Sequence, residues 1–233
     1  MPPRLAVVIP AYDEERRLPA TLERVVAYAE RRGEPFEIVV ADDGSRDATA
    51  EIARGYAARG VRLVRLPENR GKGAALRAGV LATTAERVLL CDADLSTPIE
   101  NLERLEARLA EADVVLGSRS VAGARITVRQ PFHREWMGRV FNLCVRLAGV
   151  RGFRDTQCGF KLLRGEAARG LFRELTVERF AWDVELVWLA RRRGFSVVEV
   201  GVEWADSPAT KVRALRDSFS MLADVARFRA RHR

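Results

Sequence analysis

The stretch RVLLCDADLSTP, residues 87–98, decides the fold: an apolar run suited to a buried strand ends in two aspartates, Asp92 and Asp94, with one alanine between them. Unpaired carboxylates are costly to remove from water. Two of them at the end of one strand therefore indicate that a positively charged group binds there. The remaining segments of the chain indicate which group it is.

Similar apolar runs recur on both sides of this stretch. LAVVIP (5–10), FEIVVA (36–41) and VRLVRL (61–66) precede it, and DVVLGS (113–118) follows it, with helical patterns between the runs. Nearly continuous apolar strands that alternate with helices are typical of a parallel sheet covered on both faces. The sequence therefore predicts an α/β fold with a Rossmann-like, mostly parallel sheet flanked by helices.

One helix start is predicted in detail. TPIE, residues 97–100, has the pattern of a capping box with proline in the first turn. The apolar stripe of the helix that follows comprises Ile99, Leu102, Leu105 and Leu109. We therefore expect side-chain hydrogen bonds from Thr97 and Glu100 to fix the start of this helix.

The second half of the chain follows a different pattern, without an internal repeat or an obvious linker. It predicts a flexible loop at 119–131, an amphipathic segment at 132–149, a helix through FAWDVELVWLARRRG (180–194), a strand at 195–204 and a basic amphipathic helix at about 210–231. We expect a single domain over residues 1–233 that ends in this amphipathic helical extension.

Composition narrows the class of protein. The formal net charge of +8 and a pI of about 10.2 favour acidic partners such as nucleotides, phosphorylated lipids or an anionic membrane. The basic residues lack the motifs and the aromatic interleaving of nucleic-acid-binding modules, so no nucleic acid partner is expected. No apolar run approaches the roughly 20 residues of a spanning helix, and a signal-peptide pattern is absent, which predicts a cytoplasmic protein.

Cysteine and histidine usage excludes further classes. Cys91, Cys144 and Cys158 have no CxxC spacing, so reduced thiols are expected rather than a zinc site or a disulfide framework. Two histidines cannot build a His-rich metal site. A Ser-His-Asp triad is not expected either, because no serine occupies a nucleophile elbow.

Polar segments follow the five predicted strands of the first half. They read PAYDEE (10–15), DDGS (42–45), PENRGKG (67–73), DADLS (92–96) and GSRS (117–120). Ligands of open parallel sheets collect at the carboxyl ends of the strands, so these segments are expected to line one rim. Asp92 and Asp94, with phosphate oxygens and water, suit an octahedral Mg²⁺ or Mn²⁺ ion. The alternative is turn and capping chemistry near Thr97, for which one acid would be enough.

The other segments admit both a binding and a purely structural interpretation. Tyr12 can pack near a base and Glu14 can accept from a base or ribose, but acids are also common in the first turn of a helix. Asp42 can accept hydrogen bonds from a nucleoside, although Asp-Gly also forms ordinary turns. The glycines around Lys72 allow close approach to a phosphate, yet the segment lacks the Walker A pattern. Only together do these segments indicate a site for a nucleotide diphosphate and a metal ion.

This set of segments resembles the family 2 glycosyltransferases of the GT-A fold. VVIPAYDEE, VVADDGSRDAT, NRGKGAALRAG, LLCDADLSTP and VLGSR follow the order and spacing of that family within residues 5–119. DTQCGFKL (155–162), RFAWDVEL (179–186) and the pattern VEW…TKV…DS (202–218) are similar to the dolichyl- or polyprenyl-phosphate members, more to the β-glucosyl branch than to the mannosyl branch. The resemblance implies a nucleotide-sugar-binding half at 1–119 and an acceptor-binding half at 120–233.

On the donor side, the resemblance implies a role for each polar segment. The nucleoside would be held by Pro10, Tyr12, Glu14 and Asp42, with Lys72 near the nucleotide. Asp92 and Asp94 would bind the metal ion and the diphosphate. Ser96 stands where mannosyl-phosphate relatives have a glutamine that also contacts the metal, so it is a weaker third ligand.

On the acceptor side, the resemblance implies that Arg119 and Arg134 bind the acceptor phosphate, and Lys211 is a further candidate for this role. Gly138 replaces a serine that assists in some relatives. The candidate catalytic acids beside the acceptor are Asp155, Asp183 and Glu185. Asp155 is the first to test as a base or an orienting group. The alternative for all three is a solvated helix start.

The resulting prediction is an inverting, metal-dependent transferase that moves glucose from UDP-glucose onto a polyprenyl phosphate. GDP-mannose as donor and a soluble saccharide as acceptor are the alternatives, and a nucleotidyltransferase could also use paired acids. The amphipathic segment 132–149 and the basic C-terminal helix favour peripheral binding to the inner face of the plasma membrane, unless their apolar stripes pack on the core. The sequence leaves the oligomeric state open.

Overall fold

The predicted apolar runs form strands of one sheet in the computed structural model, which describes residues 3–128, 130, 152–206 and 214–232. The strands are β1 (Leu5–Ala11), β2 (Phe36–Asp42), β3 (Val61–Arg65), β4 (Arg87–Leu90), β5 (Val114–Ser118), β6 (Arg125–Val128), β7 (Lys161–Arg164), β8 (Val197–Gly201) and β9 (Glu203–Ala205). The large sheet has the order β3-β2-β1-β4-β7-β5-β8, and β6 pairs with β9 in a separate small sheet.

Helices connect the strands and cover both faces of the large sheet. They are α1 (Leu18–Arg32), α2 (Thr49–Gly55), α3 (Lys72–Leu81), α4 (Leu102–Leu109), α5 (Gly165–Glu174), α6 (Trp182–Arg192) and α7 (Ala214–Arg231), with 3-10 turns at Ala57–Arg59 and Ile99–Asn101. Because successive strand residues point to opposite faces, Val8 packs in the cluster that contains α3, α5 and α6, while Val7 and Ile9 pack in the cluster that contains α1 and α4. The predicted α/β fold is confirmed.

One strand of the large sheet runs against the others. β7 lies between β4 and β5 and is antiparallel to both, whereas the other neighbours pair in parallel. Its first residue, Lys161, is therefore paired with Leu90 at the end of β4 and with Leu116 in β5. The loop that enters β7 consequently lies on the same rim as the segments that leave the parallel strands.

Three local predictions are wrong. The expected loop at 119–131 contains β6, which pairs with β9. The expected strand at 195–204 is two strands, because the chain passes at Val202 from the large sheet to the small one: the Val202 amide donates to Ser118 and its carbonyl accepts from Arg125. The capping box does not form, since the helix begins in a 3-10 turn without a side-chain cap. Glu100 instead pairs with Arg24 at 2.9 Å.

The basic amphipathic helix at the C-terminal end of the sequence forms α7. Its Met221, Val225 and Phe228 are buried in the core cluster that contains α6, and the Phe228 ring lies 5.5 Å from that of Trp188. These three apolar side chains therefore pack on the protein. No helix among the described residues is long and apolar enough to cross a bilayer. The amphipathic segment 132–149 lies outside the described residues.

Candidate active site

The central feature of the rim is the acid pair that follows β4, namely Asp92 and Asp94. Lys72 Nζ, from the first turn of α3, lies 2.5 Å from Asp92 Oδ1. Burial on its own would raise the pKa of Asp92, but the Lys72 charge and hydrogen bond, with help from Lys161 and Arg119, lower it. Asp94 Oδ1 accepts a hydrogen bond from the Ser96 amide at 3.0 Å. Asp92 is thus kept ionised by the cations around it.

Sequence reasoning missed Arg17, which also reaches the acid pair. Its guanidinium lies 3.7 Å from Asp94 Oδ2 and donates two hydrogen bonds of 2.6 Å to the carboxylate of Glu14. Burial would lower the pKa of Arg17, but Glu14, Asp94 and Asp92 raise it. Arg17 is the second residue after PAYDEE, and this position beside the motif was the only signal that the sequence offered.

Backbone contacts hold the acid pair in place. The Thr21 hydroxyl of α1 donates to the Ala93 carbonyl at 2.7 Å. Leu95 has a φ of 47°, a left-handed conformation that is uncommon for a branched side chain, and its amide donates to the Asp92 carbonyl at 3.2 Å. Such strain persists only where the surroundings fix the backbone, and it is concentrated at functional sites.

Asp43 positions the loop that carries Lys72. Its carboxylate accepts hydrogen bonds from the Arg70 amide at 2.8 Å and the Gly71 amide at 2.7 Å. Burial raises the pKa of Asp43, against the lowering effect of these bonds. Gly71 has a φ of 121°, which glycine tolerates, and a β-carbon there would lie 2.5 Å from the Glu178 carbonyl. Of the two aspartates in DDGS, the second therefore fixes the loop of Lys72.

Asp42, at the end of β2, is fully buried. Its Oδ1 accepts from the amide of Ser45 at 2.9 Å and from the Ser45 hydroxyl. Its Oδ2 lies 3.0 Å from Arg65 Nε, but the geometry is too poor for a hydrogen bond, and Oδ2 has no other hydrogen-bond partner among the described residues. Pro10 and Ala11 at the end of β1 are paired with Ala41 and Asp42, so the segment that carries Tyr12 and Glu14 leaves the sheet beside Asp42.

A second ion pair lies where β5 ends. Asp155 is buried and accepts three hydrogen bonds from Arg119, from the backbone amide at 2.9 Å and the guanidinium at 2.7 and 2.9 Å. Burial would raise the pKa of Asp155, but the Arg119 charge and hydrogen bonds lower it to about 2. The edge of the Arg119 guanidinium binds Asp155, and its face lies over Trp204, with Cζ 5.3 Å from the ring centre. Asp155 and Trp204 together therefore hold Arg119 in place.

Two further buried ionisable groups, Lys161 and Asp183, influence each other at the same rim. Lys161 is fully buried, donates to the Cys158 carbonyl at 2.5 Å and lies 4.8 Å from the centre of the Trp182 ring. Burial lowers its pKa, while Asp183 opposes this effect. Burial also raises the pKa of Asp183 to about 6, although Lys161 and Lys72 act against it. Lys161 was not predicted as a site residue because the antiparallel strand it begins was not predicted.

The structure thus brings most of the predicted site residues to one rim. Arg134 and Lys211, the other two candidates for the acceptor phosphate, lie outside the described residues. Glu185 lies in α6 but binds Thr176, Val177 and His232 instead of a second charged group of the rim.

The oxygen donors of the rim fit a hard divalent cation that is shared with a substrate. Among the described residues, no group of three or more His, Cys, Asp or Glu side chains could hold a metal ion. Two carboxylates are too few for an all-protein cage, but Mg²⁺ is commonly bound by one or two carboxylates together with substrate phosphates and water. The donor set therefore fits an ion that binds together with a diphosphate.

Solved structures with the same architecture show that the chain has the GT-A fold. Mannosyl-3-phosphoglycerate synthase from Rubrobacter xylanophilus has a TM-score of 0.69 at 20% identity, over 99% of this chain and 74% of that one. Glucosyl-3-phosphoglycerate synthase from Mycobacterium tuberculosis, crystallised with Mn²⁺, UDP-glucose and phosphoglyceric acid, has a TM-score of 0.66 at 19% identity, over 97% and 78% of the two chains. At these identities the likeness shows the fold alone.

The chain belongs to glycosyl transferase family 2, whose model matches residues 6–172. A dolichyl-phosphate beta-glucosyltransferase of Trichomonas vaginalis, ALG5C, is 41% identical over 88% of this chain and 65% of its own length. Enzymes of the same name from Dictyostelium discoideum and Homo sapiens are 33% and 34% identical over 98% of this chain, which spans 74% and 76% of their lengths. The predicted family is confirmed.

Proposed function

We propose that the protein is an inverting glycosyltransferase that moves glucose from UDP-glucose onto a polyprenyl phosphate. The names of its curated relatives support this assignment. The observation that carries it is that the Lys72–Asp92 pair and the Arg119–Asp155 pair belong to one rim, close enough for Arg119 to lower the pKa of Asp92. The Lys72–Asp92 pair suits a nucleotide diphosphate, and the Arg119–Asp155 pair suits the phosphate of the acceptor.

On the donor side, Asp42 and Glu14 would bind the nucleoside together with Pro10 and Tyr12. The buried Asp42 Oδ2 suits an N–H group of a base, because it has an acceptor position to fill. Asp92 and Asp94, with Ser96 as a weaker ligand, would hold Mg²⁺ or Mn²⁺, which when bound neutralises the diphosphate as the anomeric bond breaks. Lys72 and Arg17 would add positive charge beside the same leaving group.

On the acceptor side, the main task is to hold an anion. A phosphate monoester has a second pKa of about 6, so it is largely ionised near neutral pH and needs no strong base. Arg119 presents a guanidinium that is fixed by Asp155 and Trp204, and Arg134 and Lys211 stay candidates from the sequence. A phosphate oxygen would attack the anomeric carbon from the face opposite to the diphosphate, so that an α-linked donor gives a β-linked product.

The two acids of the acceptor side differ in the roles that suit them. Asp155, with a pKa of about 2 and its hydrogen bonds from Arg119 and Gln157, suits an orienting group better than a base. Asp183, whose pKa is raised to about 6, is the better proton acceptor near neutral pH. Of the two roles expected for Asp155, a base or an orienting group, we therefore propose the second, with Asp183 as the base.

A donor and acceptor panel tests the proposal. The purified protein would be incubated with radiolabelled UDP-glucose or GDP-mannose, with undecaprenyl phosphate or a soluble saccharide, and with Mn²⁺ or chelator. We expect glucosyl lipid with UDP-glucose and metal, and no turnover in chelator. Preference for GDP-mannose, or transfer to the soluble saccharide alone, would contradict the assignment.

We also propose that the protein binds peripherally to the inner face of an anionic membrane. The net charge of +8 and a lipid acceptor support this placement. Because Met221, Val225 and Phe228 pack on the core, the contact would rely on segment 132–149 and on surface arginines. Binding to anionic vesicles should weaken as salt is added, and equal binding to neutral and anionic vesicles at low salt would count against it.

A further inference from the structure

A chain of contacts joins His232, the residue that follows α7, to the loop of Lys72. It begins at His232, whose Nε2 lies 2.7 Å from Glu185 Oε1. The His232 ring also lies 5.6 Å from that of Trp188, which in turn contacts Phe228. The end of the described chain is therefore fastened to α6 by both a polar and an aromatic contact.

Glu185 is the centre of this chain of contacts. It is fully buried, and besides His232 it accepts hydrogen bonds from the Thr176 amide at 2.9 Å, the Thr176 hydroxyl at 2.8 Å and the Val177 amide at 2.7 Å. A buried carboxylate persists only when such donors surround it. Glu185 therefore ties the segment 176–177 to α6, two residues along the helix from Asp183.

The next residues of that segment form the wall against which α3 begins. The Glu178 carbonyl accepts a hydrogen bond from the Ala74 amide at 3.0 Å. A β-carbon on Gly73 would lie 2.4 Å from the Val177 carbonyl, so the two backbones are in direct contact. Lys72 stands between Gly71 and Gly73, and its ammonium group contacts Asp92.

We infer that Glu185 and His232 are positioning residues for the donor site: the docked end of α7 holds Glu185, Glu185 holds 176–178, and this segment fixes the helix turn that presents Lys72. The inference rests on the proposed function only in assigning Lys72 to the donor diphosphate. Neither residue contacts the acid pair, so their effect would reach the diphosphate through Lys72 alone.

Hydrogen exchange, which needs no ligand, tests whether His232 stabilises the segment 176–178 and the turn that presents Lys72. In His232→Ala we expect faster amide exchange in peptides that cover 71–78 and 176–179. Arg229→Ala, which removes an exposed side chain from the same helix, is the matched control and should leave these peptides unchanged. Faster exchange confined to α7 in His232→Ala would overturn the inference, whatever the protein catalyses.

Nucleotide binding tests the link to Lys72. By calorimetry with UDP and Mn²⁺, His232→Ala should weaken UDP binding about fivefold to tenfold, and His232→Gln should restore part of the loss because its amide can donate to Glu185. In a Lys72→Ala background the same histidine change should cost less than about twofold, since coupled residues are not additive. An equal loss in both backgrounds, or a lower melting temperature with unchanged UDP affinity, would refute it. Absence of UDP binding by the unaltered protein would refute the proposed donor instead and leave the exchange result to decide the inference.

Discussion

Gly159 lies so close to Asp92 that a β-carbon built on the glycine would be 2.1 Å from Oδ2 of the carboxylate. The loop that enters β7 thus forms one wall of the acid pair, and this contact leaves no space for a side chain. The carboxylate is short, so it cannot move away without leaving Lys72.

Gly159→Ala should therefore damage the donor site while the protein still folds. We expect UDP affinity in Mn²⁺ to fall by about tenfold or more, because the displaced Asp92 loses its geometry toward both Lys72 and the metal ion. Gly170→Ala in α5 is the matched control: a β-carbon there has no neighbour within 4 Å, and alanine favours a helix interior by about 0.5–1 kcal/mol. Unchanged UDP affinity in Gly159→Ala would contradict this role of the loop.

Asp94→Asn should remove turnover with little loss of fold. The change keeps the size of the side chain and removes the negative charge that would hold the metal ion at the diphosphate, so a fall in kcat of about a hundredfold or more is expected. The measurement is glucosyl lipid formation over a titration of Mn²⁺. Glu100→Gln, which removes a half-exposed carboxylate paired with Arg24 just after the same loop, should keep near-normal turnover. Undiminished transfer by the asparagine variant in chelator would end the metal-based account.

Arg119→Lys should weaken binding of the acceptor without weakening binding of the donor. Lysine keeps the charge but cannot reproduce the forked contact with Asp155 or the stacking on Trp204. We expect KM for undecaprenyl phosphate to rise about tenfold, with UDP affinity within about twofold of normal. Arg154→Lys, at an exposed position beside Asp155, is the control. A rise in the UDP dissociation constant as large as that in KM would show that Arg119 serves the donor instead.

Asp183 should make stability depend on pH. Burial raises its pKa from 3.8 to about 6 in the folded protein, so its favourable contribution is fully present below about pH 4 and is lost as the pH rises through about 6. Asp183→Asn should therefore be more stable than the unaltered protein at pH 8, by up to about 3 kcal/mol, and this advantage should vanish near pH 4.

Chemical unfolding at several pH values measures this difference. Glu111→Gln, which removes an exposed carboxylate, controls for the loss of one negative charge and should show no such trend. A difference between Asp183→Asn and the unaltered protein that stays constant from pH 4 to pH 8 would mean that the carboxylate is not destabilised by burial.

The parallel part of the fold was predictable from local sequence. Strands that are buried on both faces must be apolar throughout, and their carboxyl ends must meet at one edge, so the sequence alone predicts that Asp42 and Asp92 lie at the same edge. By contrast, β7 is a four-residue strand. Short apolar runs do not reveal the direction of a strand, so neither β7 nor the role of its first residue, Lys161, was predicted.

Contacts between distant parts of the chain were beyond local patterns. Glu185 and His232 meet across 47 positions, and His232 belongs to no motif of the sequence. Arg17 and Asp94 also come from different segments of the chain, and Arg17 lies outside the quoted motifs. Capping at Thr97 failed for a related reason, since its hydroxyl contacts Cys158 of the loop before β7, at 3.8 Å from Sγ. Tertiary contacts therefore determined the binding partners of these side chains.

Because β7 separates β4 from β5, the sheet cannot close while the ribosome is still making the segment before Lys161. Until then β5 has none of its final strand neighbours and β4 exposes one unpaired edge, which can pair with another nascent chain. A truncated product that stops near residue 119 would keep this edge open. We expect it to aggregate on synthesis, because the edge of β4 stays open to other chains until β7 has been made and has paired with it.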